Sequence, residues 1–184
     1  PIYISTKTKI AYLNQPNIDI KTLFWSIPIL SYTIPKNGIV KKQMRFKSEK
    51  PAELEEIKKC VEEEKKAGSY IQEYVITSID NSSGEEVQFK DVRKISVGIS
   101  KKDIMTYKSK QKNAFYNCFG MMMRIKIDNL FREFHVKVFN TGKIEIPGIQ
   151  SEEYFRYILE EIIFLLQPYF EDVISFQKKE GTEN

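Results

Sequence analysis

A chain of 184 residues with 41% hydrophobic content can bury one sizeable core, at most with a small insertion beside it. Its 29 basic and 25 acidic residues leave a formal charge of +4, too mild by itself to name a polyanionic partner. Two cysteines without motif spacing, Cys60 and Cys118, argue against a disulfide framework and for an intracellular setting, and no apolar run approaches the roughly 20 residues that cross a bilayer.

The opening segment "YISTKTKIAYL" (3–13) is rich in β-branched residues and reads as a strand. Asn17 is placed to cap a short helix in which Ile20, Leu23, Phe24 and Ile27 share one face, with Pro28 as its stop. A Pro-Lys-Asn-Gly turn (35–38) leads to a second strand, "GIVKKQMRF" (38–46). From Glu49 the character changes. A charged helix begins at Pro51, carries Leu54, Ile57 and Val61 on one face, and ends at Gly68. Its charge run is the solvated side of an amphipathic helix laced with i,i+4 pairs. Strands follow at 70–79 and 86–99, so that 49–98 reads as an insertion into a main unit formed by 1–48 and 99–170.

Residues 90–112 hold eight Lys or Arg against two Asp, a local +6 that leaves the remainder of the chain net negative. A strand over 115–127 then turns at Asp128-Asn129 into "FREFHVKVF" (131–139), and "NTG" (140–142) makes a hairpin to "KIEI". Ser151 caps a helix whose apolar face comprises Phe155, Ile158, Leu159, Ile162, Leu165 and Leu166 and which ends before Pro168. Residues 171–184 read as a polar tail or a linker. Together these elements predict an α+β fold.

Signatures of catalysis are absent. The single histidine, His135, has no second His or Cys at a ligand spacing, so no metal is expected. There is no phosphate-cradling glycine loop, no cofactor motif and no nucleophile signature, so neither a cofactor nor an enzymatic activity is expected.

One residue breaks the pattern of the 131–139 strand. Side chains alternate, so Phe134, Val136 and Val138 meet the carboxy-terminal helix, while Glu133, His135, Lys137 and Phe139 face away. An antiparallel sheet covered on one side leaves the other open. Phe139 on that side is a rim aromatic, or is turned inward by a bulge, or is a ring offered to a ligand, suited to stacking on or wedging between bases.

The run "F-N-T-G-K-I-E-I-P-G" (139–148) resembles the Phe-x-[Ser/Thr/Asn]-Gly-[Lys/Arg]-aliphatic-x-x-x-Gly hairpin of the TATA-box-binding-protein family, which is followed directly by a long helix. "ISTKTKIAYLNQPNIDIKTLFWSI" is similar to that family's opening strand and helix, and "FGMMMRIKI" to its middle strand. The wording "NAFYNCF…FREFHVKVFNTGKIEIPGI" looks nearest to the TATA-binding-protein-like factors of large nucleocytoplasmic DNA viruses. The likeness spans about 1–48 and 99–170.

It implies a curved antiparallel sheet with helices on its convex side, a half-saddle carrying an inserted α/β segment. The concave side would enter a widened minor groove of AT-rich promoter DNA, with Phe139 wedged between base steps. Its partner wedge would be Phe115 or Phe119, alternation favouring Phe115. Lys137, Lys143, Arg124 and Lys126 would be groove or phosphate contacts. Thr6 or Lys7 falls where the family carries a base-contacting asparagine, and Thr6 joins the DNA-facing set. The implied partners are double-stranded DNA, a factor IIB-like protein and RNA polymerase, with no membrane. A second repeat or a second chain would complete the saddle. The implied setting is a host nucleus or a cytoplasmic viral factory, or packaging in virions. Glu145 and Pro147 stand where the family carries a small aliphatic residue and a base-contacting threonine. With the acidic insertion helix, they support the alternative of a protein-docking platform on the same fold. A third alternative is an accessory domain of a nucleic-acid enzyme whose catalytic domain lies outside this chain.

Overall fold

The computed structural model describes residues 7–81, 86, 88–106 and 116–177. Its elements run β1 (Thr8–Tyr12), α1 (Ile20–Ser26), β2 (Gly38–Ser48), α2 (Pro51–Lys66), β3 (Ile71–Asn81), β4 (Gln88–Gly98), α3 (Lys101–Met105), β5 (Cys118–Ile127), β6 (Leu130–Phe139), β7 (Lys143–Pro147) and α4 (Glu152–Leu166). The strands form one curved, unclosed sheet of order β1-β7-β6-β5-β2-β4-β3, antiparallel at every pairing. The α+β architecture is as the patterning predicts.

Alternation builds the core. Met44 and Phe46 of β2, Phe119, Met121 and Met123 of β5, Val136 and Val138 of β6, and Ile144 and Ile146 of β7 all point to one face and are buried. Upon them lie Leu23 and Phe24 of α1 and Ile158, Ile162 and Leu166 of α4. The Phe24 ring meets Trp25, Phe46 and Phe119 edge-on at centroid distances of 4.9, 5.4 and 6.0 Å. α1 is capped by Asp19, whose Oδ1 accepts from the Thr22 amide at 3.2 Å, and not by Asn17. Ser151 caps α4 as expected, accepting from the Tyr154 amide at 3.2 Å.

The 49–98 segment is continuous with the main sheet. β4 pairs with β2 from Lys41↔Gly98 to Ser48↔Asp91, β3 forms the outer edge, and α2 buries Leu54, Ile57 and Val61 on the helical face. Of the 171–184 segment expected as a tail or linker, residues 178–184 lie outside the described residues, and the part up to Gln177 returns to β1. Phe176 bridges to Leu13, the Gln177 amide donates to Tyr12 O at 2.8 Å, and Ile174 is buried. A polar-tail reading fails here because Ile174 and Phe176 supply apolar groups that cover the end of the core.

The β6–β7 turn depends on Gly142, at φ +87. Its amide donates to Phe139 O at 3.0 Å and its carbonyl accepts from the Leu13 amide at 2.9 Å. A Cβ there would stand 2.4 Å from Gln15 O, a main-chain atom that cannot swing away. Gly142→Ala is therefore expected to lower the unfolding free energy by about 1–3 kcal/mol. Urea unfolding measures this, and a change within experimental scatter would contradict the turn geometry.

Candidate nucleic-acid interface

The sheet face away from α1, α2 and α4 carries polar and basic side chains in register. One row runs Ile10–Glu145–Lys137–Gly120–Gln43–Ser96–Gln72 across all seven strands. The neighbouring row places Tyr12, Lys143, Phe139, Cys118, Arg45, Lys94 and Tyr74 on the same face.

Phe139 is half-buried on this open face, opposite Cys118, while its strand neighbour Val138 lies in the core. The Lys143 ammonium lies 4.3 Å from the centroid of its ring and 3.1 Å from Glu145 Oε1. Lys137 faces Gly120 on one side and Glu145 on the other. At the same end of the sheet the Arg45 guanidinium lies 4.7 Å from the Tyr116 ring centroid. Burial in this row pushes the Cys118 thiol up from its ordinary value.

Two expected contacts are placed elsewhere. Phe119 is fully buried beside Phe24, because its position in β5 shares the face of Met121 and Met123. It cannot wedge into a duplex lying on the opposite side. Arg124 is on the open side but 5% exposed, and its three guanidinium nitrogens are taken by main chain: Nε donates to Lys36 O at 3.1 Å, Nη1 to Tyr32 O at 2.7 Å, and Nη2 to Ile34 O. It fastens the 32–36 loop to β5, which takes three of its five N–H donors. Lys126 is exposed, with its ammonium 5.7 Å from the Phe131 ring centroid. Phe115 and Thr6 lie outside the described residues.

The same face holds groups not singled out from the sequence. Lys41, Gln43, Arg45 and Lys47 alternate with Lys42, Met44 and Phe46 along β2, and this alternation was the available signal. The short helix α3 sits over the opposite end of the face from Phe139. Its Asp103 accepts from Lys41 Nζ at 2.8 and 2.9 Å, and the Lys101 amide donates to Glu133 at 2.8 and 3.0 Å. Burial pushes the Asp103 carboxyl up, but the hydrogen bonds from Lys41 and Ser100 outweigh it and hold the group below its ordinary value. Lys94 is pushed down by burial and then by the Lys41 charge, against the pull of Asp103.

Among the described residues no group of three or more His, Cys, Asp or Glu is arranged to hold a metal ion, and no helix is long and apolar enough to cross a membrane. No family model matches the chain, and no curated protein or solved structure does so.

Proposed function

We propose that this chain is a transcription initiation factor resembling the TATA-box-binding protein, laying its open sheet face in the minor groove of promoter DNA. The observation that carries this is the half-buried Phe139 ring on the face opposite α4, flanked by Lys143 and in line with Arg45. An aromatic wedge beside cations can unstack a base step while neighbouring amines hold the phosphates, the cost of bending being offset by added contact. Lys137, Lys143 and Lys126 supply the phosphate or groove contacts. Phe115 is the remaining candidate for the second wedge.

Fluorescence anisotropy on AT-rich and GC-rich duplexes across a salt series tests this. Phe139→Ala is expected to weaken binding to the AT-rich duplex about tenfold or more, while Lys143→Ala reduces the salt slope by about 1. Equal affinity of wild type and Phe139→Ala for every duplex removes the wedge role.

A second reading is a docking platform for polymerase or a factor IIB-like protein, without DNA. It is favoured by Glu145, whose carboxylate in mid-face opposes a phosphate-lined groove, and by α3 resting on the same surface. Absence of DNA binding at low salt, together with retention of these factors in a pull-down, selects it.

A further inference from the structure

The open face carries a second feature that the groove reading does not use. Between α3 and the strands β5, β2, β4 and β3 lies a cavity of about 950 Å³. This is at the upper end for small-ligand sites. Its floor is the register line Gly120–Gln43–Ser96–Gln72. Three strand spacings make that line about 14 Å long, the reach of a nucleoside with its first phosphates.

The lining is chemically divided. Lys41 of β2, Lys94 of β4 and Lys102 of α3 line the cavity. Against these three cations stand Asp103 and Glu73, and Glu73 is already engaged by Arg93 at 3.1 Å. The cavity is therefore electropositive, unsuited to a metal cation and suited to a polyanion. Tyr74, 48% exposed, presents a ring at the β3 wall. Ser96 is 8% exposed, and its hydroxyl shares the floor with the Gln43 amide, giving both donors and acceptors. Gly120 keeps the floor low. A Cβ there would come within 2.8 Å of His135 Nε2, so the missing side chain lets the imidazole lie over β5 and close the far wall.

We propose that this cavity is a binding site for a nucleoside polyphosphate, with the base stacked at Tyr74 and read by Gln43 and Ser96, and the phosphates held by Lys41, Lys94 and Lys102. Planar aromatic, polar edge and clustered ammoniums match the three parts of such a ligand. Phosphate oxygens offer Lys41 a second anionic partner beside Asp103, so ligand binding reshapes the contact that tethers α3. Tyr74 and Lys94 share the register row of Phe139 but stand on β3 and β4, across β5 and β2 from its ring, and the proposal rests on none of the residues that carry the DNA-binding reading.

Titration of the full chain with fluorescent N-methylanthraniloyl-ATP and -GTP tests the proposal. Saturable binding of at least one is expected, displaced by the unlabelled nucleoside triphosphate at least about tenfold more effectively than by tripolyphosphate or by the nucleoside alone. Lys94→Ala and, on exposed α3, Lys102→Ala are each expected to weaken binding about tenfold. Lys58→Ala, which removes the same charge from the exposed side of α2, leaves it unchanged. Circular dichroism establishes that the variants are folded, and Lys102→Ala carries the test if Lys94→Ala is not. No saturation at about 1 mM, equal displacement by tripolyphosphate, or displacement only by a single-stranded oligonucleotide overturns the proposal.

Discussion

Replacing Arg93 with methionine is expected to lower the unfolding free energy by about 3–5 kcal/mol, because it strands a buried carboxylate. Asp91 is 1% exposed and Arg93 8%. The guanidinium donates from Nε to Asp91 Oδ1 at 2.6 Å, from Nη2 to Oδ2 at 2.8 Å, and from Nη1 to Glu73 at 3.1 Å. This fork is the geometry in which arginine binds a carboxylate most strongly. The Arg93 hydrogen bonds hold the Asp91 carboxyl below its ordinary value, with burial opposing them. A depressed folded-state value means stability that is present above the ordinary aspartate pKa of about 3.9 and lost as pH falls through the lower one. Without Arg93, burial is opposed only by the weaker pulls of Ser78 and Lys58, and the Asp91 value rises from where Arg93 holds it. The acid limb should then be shallower, the variant losing less stability than wild type as pH drops from about 5 toward 3. Urea unfolding at both pH values measures this. A loss below about 1 kcal/mol at neutral pH would contradict the account. Adding Asp91→Leu to Arg93→Met should recover most of the loss, since the unpaired charge is what destabilises.

That pair, joined across β3 and β4 by Glu73, is of a kind that local sequence pattern does not disclose. Period-two alternation located β2, β5, β6 and β7 and put Phe139 opposite Val138, because each strand has one buried face and a one-residue slip would expose its whole apolar set. The carboxy-terminal helix was equally legible from its 3.6-residue apolar stripe and its serine cap. Pairing between distant strands was not. Nothing in "KISVGI" states that Gly98 lies opposite Lys41, so the pattern reads 49–98 as an insertion into the main unit and leaves unsaid that its strands extend the same sheet. The same blindness affected Arg124. Its strand position correctly put it on the open side, yet the three carbonyls it binds lie about 90 residues earlier in the loop at 32–36. A basic residue on a sheet face is a phosphate contact or a loop fastener according to what arrives from elsewhere, and only tertiary structure decides. Phe119 differs from these. Its spacing from Met121 and Met123 already implied burial, and the family likeness alone kept it in the DNA-facing set.

Lys42 carries the other large effect: Lys42→Ala is expected to destabilise the protein by about 3–5 kcal/mol, for reasons that alternation alone disguises. It occupies the apolar side of β2, in line with Met44 and Phe46, and is fully buried. Its ammonium donates to Phe24 O at 2.6 Å and Ile27 O at 2.7 Å, with Glu64 Oε1 of α2 at 3.5 Å. Those two carbonyls close α1, where the helix dipole favours a cation. The Phe24 and Trp25 ring centroids stand 4.9 and 5.9 Å from the same ammonium. One charge thus ties α1, β2 and α2 together behind the open face. Alanine leaves two buried carbonyls without a donor and a void the length of the lysine stem. Methionine keeps the volume and loses the ammonium with its hydrogen bonds and its Glu64 and ring contacts, so Lys42→Met should cost about 1–3 kcal/mol. Burial pushes the Lys42 pKa down, and Glu64 recovers only part of the shift. The folded state therefore sheds this proton at a lower pH than the unfolded chain, whose lysines titrate near 10.4. Between the two values the unfolded chain binds more protons, and stability gains a rising component with pH. The difference in unfolding free energy between wild type and Lys42→Met, followed by urea denaturation from neutral to alkaline pH, should grow through that window. A flat difference would mean that the ammonium reaches water in the folded protein, and that α1 is held to the sheet by apolar packing alone.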